Sequence, residues 1–146
     1  MMLRARGITA VLDLQYTESD ISLHLDDVAR GILRKNNIDY AAVGLADQEY
    51  EDPTEVLEVF ETCHNILTEW ESKYPNKNDH ILVKCGAGIS RSPAALIYHY
   101  CARDKVSYIE ALQQVREEEF NQGVQFGSSP NVLFVKVLKE KFPYEY

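Results

Sequence analysis

The chain has 146 residues, 45% of them apolar and 26% charged, with a net charge of −8. That length fits one domain with a real core and is short for two. The acidic balance opposes nucleic acid or an anionic membrane as a broad-surface partner, though not a small cationic pocket, and no run approaches the ~18 apolar residues of a membrane span.

Ile8 to Leu14 alternates and starts β-branched, which predicts a strand. Asp26 to Asn36 has helical spacing, with Val28, Ile32 and Leu33 on one face and Asp26 as N-cap. Tyr40 to Leu45 reads as a second apolar strand. Asp52-Pro53 opens a helix, the Asp as cap and the Pro at the first position. Val56, Val59, Phe60, Cys63, Ile66, Leu67 and Trp70 then keep one apolar face over four turns. After a polar loop, Ile81, Leu82 and Val83 form a short apolar run of the kind buried in a parallel sheet. Ser92 to Ala102 is nearly all apolar and predicts a buried central helix. Ser107 and Glu110 form a capping box for a helix running to about Glu119, and Val132 to Lys141 is a final helix after a loop. Strands alternating with helices predict an α/β domain with a mostly parallel sheet, a single unit over residues 1–146.

Three cysteines, Cys63, Cys85 and Cys101, make an odd number with no close pair and no visible secretory signal, which fits a reducing, cytoplasmic compartment. No Cys or His spacing suits a structural metal, and His24, His64, His80 and His99 read as scattered surface or half-buried residues. Cys63 and Cys101 fall on apolar helix positions and read as packing residues.

The chemistry concentrates in Val83 to Ala95, "VKCGAGISRSPAA". It lies at the carboxyl end of a strand, where open α/β sheets bind ligands. Gly86, Ala87, Gly88, Ile89 and Ser90 form a tight loop of small residues feeding a helix N-terminus. Backbone N–H groups pointing inward there, together with the helix dipole, suit a tetrahedral oxyanion such as phosphate. Arg91 adds a planar fork that grips two of its oxygens. Cys85 enters at the base, where a helix N-terminus and a nearby cation lower a thiol's pKa and make it a nucleophile. Ser92 can donate its hydroxyl to the sulfur as the sulfur leaves.

This C-x5-R-S pattern in a strand–loop–helix resembles the dual-specificity branch of the cysteine-dependent protein tyrosine phosphatases. The likeness extends to Gly7–Leu14 ("GITAVLDL"), to Asp47 five positions before Asp52, and to Pro130-Asn131 at the head of the last helix. It implies a protein tyrosine phosphatase-like fold, with a central sheet of about four strands flanked by helices. It also implies Cys85 as nucleophile, Arg91 as phosphate clamp, Asp47 as general acid and then base, and Asn131 as a support of the loop. No cofactor is implied. The implied partner is a phosphorylated protein, acted on by a monomer. Asp52, Glu49 and Glu51 rival Asp47, but Asp52 has its own role as the cap before Pro53.

Two departures stand out. Lys84 occupies the place before the nucleophile where the family usually has His. It is either a fixed cation favouring the thiolate or a strand-end residue alternating away from Cys85 and reaching water. Neither predicts loss of the nucleophile, and Lys84 joins Asn131 as a candidate loop-support residue, with loop order and rate expected below the family's. The chain also begins near the segment resembling the family's early strand, which implies a short or truncated N-terminus. Three other readings compete. Low-molecular-weight phosphatases carry the same loop, but there the acid follows it, whereas Asp47 precedes Cys85. A pseudophosphatase would bind phosphorylated partners without turnover. A phosphoglucan or phosphoinositide substrate is the third, and the neutral loop residues disfavour the phosphoinositide.

Overall fold

The computed structural model describes residues 7–14, 27–45, 52–76, 79–85, 90–121 and 130–143. Three strands, β1 (Ile8–Asp13), β2 (Asp39–Ala42) and β3 (His80–Lys84), form a parallel sheet in the order β2-β1-β3. Among the described residues, five helices accompany them: α1 (Asp27–Lys35), α2 (Pro53–Lys73), α3 (Arg91–Asp104), α4 (Tyr108–Asn121) and α5 (Val132–Lys141). The α/β expectation is met. The described residues hold one strand fewer than the expected four, because only three segments carry a strand pattern and all three are used.

β1 is the central strand, and every residue from Thr9 to Leu14 is buried. Parallel strands covered on both faces need apolar side chains on both. Ala10, Leu12 and Leu14 accordingly join the main core with α2, α3, α4 and α5. Val11 points the other way, onto Leu33 and Ile38. Two sequence expectations are corrected here. β3 is an edge strand of the described sheet, with Leu82 36% exposed. A short apolar run does not reveal whether it has one neighbour or two. On α1, Leu33 is buried but Ile32 is 46% exposed, because a helix covering a small sheet needs only a narrow apolar stripe.

α2 begins as the sequence predicts. Asp52 is its N-cap, with Oδ1 accepting from the Thr54 N–H at 2.9 Å, and Pro53 follows. Val56, Phe60, Cys63, Leu67 and Trp70 are its buried stripe. Val59 and Ile66 flank it, half-buried. α3 crosses the middle of the main core, and Ala94 and Ala95 let it approach closely. Phe60 sits edge-on to Phe134 of α5, with ring centroids 5.5 Å apart. Ser107 Oγ accepts from the Glu110 N–H at the start of α4, as the capping box predicts. No helix of the described residues is long and apolar enough to cross a membrane.

His99 departs from the expectation of a surface or half-buried residue. It lies on α3 and is 2% exposed. Its Nδ1 is 2.9 Å from Nδ1 of His64, and its Nε2 is 2.7 Å from Glu71, whose other oxygen accepts from Arg103. An uncharged His99 satisfies both contacts by donating from Nε2 and accepting at Nδ1. Burial holds its pKa below the usual histidine value, against the pull of Glu71. A histidine that is harder to protonate folded than unfolded stabilises the fold above the unfolded pKa of ~6.5 and loses that contribution as pH falls below it. The urea midpoint therefore falls from pH 7.5 to pH 5.5, and it falls less in His99→Gln. Equal declines in parent and variant would contradict this origin.

Candidate active site

Cys85 is the first residue after β3 and is buried. Its side chain belongs to the main core face, under α3. The Ser92 N–H, at the second position of α3, points at the sulfur with N···Sγ 3.5 Å, and Ser92 Oγ lies 3.4 Å from Sγ. The first N–H groups of a helix have no intrahelical acceptor and mark the positive end of its dipole. A thiol placed there is stabilised as the thiolate. Cys63 and Cys101 show the opposite setting. Burial pushes each thiol up to about 12.

Arg91, the first residue of α3, is buried, and its Nη1 donates to the carbonyl of Leu45 at 3.1 Å. A guanidinium is too hydrated to be buried without acceptors. The Leu45 N–H in turn donates to Leu14 O at 3.3 Å, and the Leu14 N–H donates to Lys84 O at 2.8 Å. Lys84 O belongs to the peptide that leads into Cys85. The ends of all three strands thus tie the cysteine to the arginine.

Ser90 precedes α3 and makes no side-chain cap to it. Its Oγ instead accepts from the Asn131 N–H at 2.9 Å. The Asn131 side chain caps α5 by accepting from the Phe134 N–H at 3.0 Å. The side chain of Asn131 thus acts as the polar residue at the helix start, while its backbone N–H meets Ser90.

Lys84 lies on the other face of the sheet from Cys85. Its Nζ is 3.5 Å from Oδ1 of Asp13, its register partner on β1. The alternating reading therefore holds, and the ammonium is paired rather than simply solvated. Gly86, Ala87, Gly88 and Ile89, the middle of the expected phosphate cradle, and Asp47, the expected acid, lie outside the described residues. Asp52 is committed to its cap. No cluster of three or more metal-ligating side chains occurs among the described residues.

Sequence reasoning missed Asp13, Tyr40 and the Leu45 carbonyl. The Leu45 role is a backbone role and leaves no residue signature. Asp13 did leave one: a carboxyl in the middle of the apolar run "AVLDL".

The model of the dual specificity phosphatase catalytic domain matches residues 1–142. The chain belongs to that family. Among solved structures, the Cydia pomonella PTP-2 phosphatase is similar at 26% identity, covering 99% of this chain and 78% of its own, with a TM-score of 0.68. Human DUSP28 matches at 19% identity over 95% of this chain and 80% of its own, with a TM-score of 0.64. The human tyrosine phosphatase-like serine/threonine/tyrosine-interacting protein matches at 22% identity over 96% and 80%, with a TM-score of 0.65. These last two show the fold. No curated protein sequence matches. The protein tyrosine phosphatase-like architecture expected from the sequence is thereby met.

The contrast among the three cysteines has a direct consequence. Iodoacetamide at neutral pH should modify Cys85 in the folded protein and spare Cys63 and Cys101, as read by peptide mass spectrometry. Comparable labelling of all three would contradict the assigned environments. Asp52→Ala should lower stability by ~1 kcal/mol through loss of the cap, with turnover retained, and Asp52→Asn should be close to neutral.

Proposed function

We propose that this phosphatase-family domain hydrolyses phosphate monoesters on proteins, phosphotyrosine and also phosphoserine and phosphothreonine, through a phosphocysteine formed on Cys85. The observation that carries the reading is the Cys85 sulfur held at the N-terminus of α3 by Ser92, with Arg91 fixed beside it at the same helix end. The loop Gly86 to Ser90 and Arg91 bind the three non-bridging oxygens of the phosphoryl group.

In the first step the Cys85 thiolate attacks phosphorus and the ester P–O bond breaks. Asp47 gives its proton to the departing oxygen, so a tyrosine, serine or threonine hydroxyl leaves neutral. In the second step Asp47, now ionised, takes a proton from water. The water oxygen bonds to phosphorus and the S–P bond breaks. Ser92 donates to the sulfur as it regains its charge, which lowers the cost of expelling a thiolate. Inorganic phosphate leaves, and the enzyme returns with Asp47 protonated.

The acidic chain and neutral loop support a protein substrate over a phosphoinositide. The reading places one catalytic domain over residues 1–146, acting as a monomer in a reducing, cytoplasmic compartment where Cys85 stays a thiol. A binding-only pseudophosphatase would need no sulfur at the helix end and no hydroxyl facing it, and this chain has both.

Turnover of p-nitrophenyl phosphate tests the proposal, followed by a panel of phosphopeptides, phosphoinositides and phosphoglucan. Cys85→Ser should abolish hydrolysis. Asp47→Asn should lower kcat by about 100-fold or more and flatten the basic limb of the pH–rate profile, because that limb reports loss of the acid's proton. Phosphopeptide binding with no turnover by the parent protein would establish the binding-only reading instead. An unchanged profile in Asp47→Asn would remove Asp47 from the mechanism.

A further inference from the structure

Asp13 ends the central strand with 0% of its surface exposed, and no step of the reaction above uses it. A buried carboxylate is costly unless it is paired and hydrogen-bonded. Asp13 draws its partners from both neighbouring strands. Tyr40 of β2 donates its hydroxyl to Oδ2 at 2.7 Å, and Lys84 of β3 brings its ammonium to 3.5 Å from Oδ1. Each strand of the sheet contributes one member, and the register sets Asp13 directly beside Lys84.

The cluster sits behind the nucleophile. Lys84 is covalently joined to Cys85, and the carbonyl between them is held by the Leu14 N–H, next in chain to Asp13. The side chains of Lys84 and Cys85 take opposite faces of the sheet. The ammonium is thus turned toward Asp13 rather than toward the sulfur. Among the described residues, the charged and titratable groups at this end of the sheet are Asp13 of β1, Tyr40 of β2, Lys84 of β3 and Arg91 of α3. A buried negative charge one strand away disfavours a thiolate. A cation beside that charge cancels the effect.

We propose that Asp13 and Tyr40 are positioning residues of the nucleophile. With Lys84 they form a charge-balanced clasp that fixes the Lys84–Cys85 peptide and prevents the buried carboxylate from opposing the thiolate. Lys84 thereby serves the site through Asp13, not by contact with the sulfur. The inference rests on the reading of Cys85 as nucleophile.

The test is the rate of Cys85 alkylation by iodoacetamide against pH, measured on the full chain, with kcat and KM for p-nitrophenyl phosphate measured alongside. Lys84→Met leaves the carboxylate without this cation and should raise the alkylation midpoint by about half a pH unit or more. Asp13→Asn should not raise it. The double variant should return the midpoint to that of the parent, which a mere packing defect would not do. Tyr40→Phe and Lys84→Arg carry the test if Lys84→Met fails to fold. Tyr40→Phe should raise the midpoint, and Lys84→Arg, which keeps the charge, should leave it in place. Midpoints that do not move in Lys84→Met or Tyr40→Phe, or a double variant no closer to the parent than Lys84→Met, would overturn the clasp. Alkylation needs no phosphate substrate, so the two readings separate. Shifted midpoints in a protein without turnover would leave the clasp and remove the phosphatase. Turnover with immovable midpoints would do the reverse.

Discussion

The bond from the Arg91 guanidinium to the Leu45 carbonyl is the constraint on which the site depends. It joins the first residue of α3 to the chain just beyond β2. From Leu45 the connection runs through Leu14, beyond β1, to the carbonyl that precedes Cys85. Every link except the guanidinium is backbone. The placement of Cys85 relative to Arg91 is therefore set by the register of a three-stranded sheet. Side-chain changes along the strands can alter packing without breaking this circuit. Changes that slip the register cannot.

The same fold puts its three thiols in two different settings. Cys63 and Cys101 are buried in the main core, and there burial outweighs the backbone N–H at each and pushes both thiols up to about 12. Cys85 is buried as well, but against a helix N-terminus and the Ser92 hydroxyl. Burial alone does not decide the behaviour of a cysteine; the dipoles facing it do. The Asn131 N–H bond to Ser90 shows how the remaining helices contribute. Capping α5 and bracing the residue before Arg91 are two uses of a single residue.

Most of the architecture was legible because the signals were local. The Asp52-Pro53 cap, the stripe from Val56 to Trp70 and the helix from Val132 to Lys141 need only nearest neighbours on one element. The pattern from Cys85 to Ser92 stood out in the sequence because the proposed chemistry asks for those residue types at that spacing. What escaped depends on neighbours far apart in sequence. Leu82 is exposed because β3 has only one partner among the described strands. Ile32 is exposed because the sheet beneath α1 is small. His99 is buried because His64 and Glu71, on another helix, satisfy both its nitrogens. The direction of Lys84 followed from strand alternation, but its partner Asp13 lies 71 positions away. Nothing in either local segment announces the pair.

The central claim is that Cys85 carries the phosphoryl group during turnover. The most direct measurement is an acid quench of the enzyme mixed with p-nitrophenyl phosphate, using Ser92→Ala to slow the departure of sulfur and peptide mass spectrometry to find the phosphate. The account predicts a phosphate on the peptide containing Cys85, formed as the first p-nitrophenol is released and missing from Cys85→Ser. Sustained hydrolysis with no phosphate on Cys85 at any quench time would contradict it.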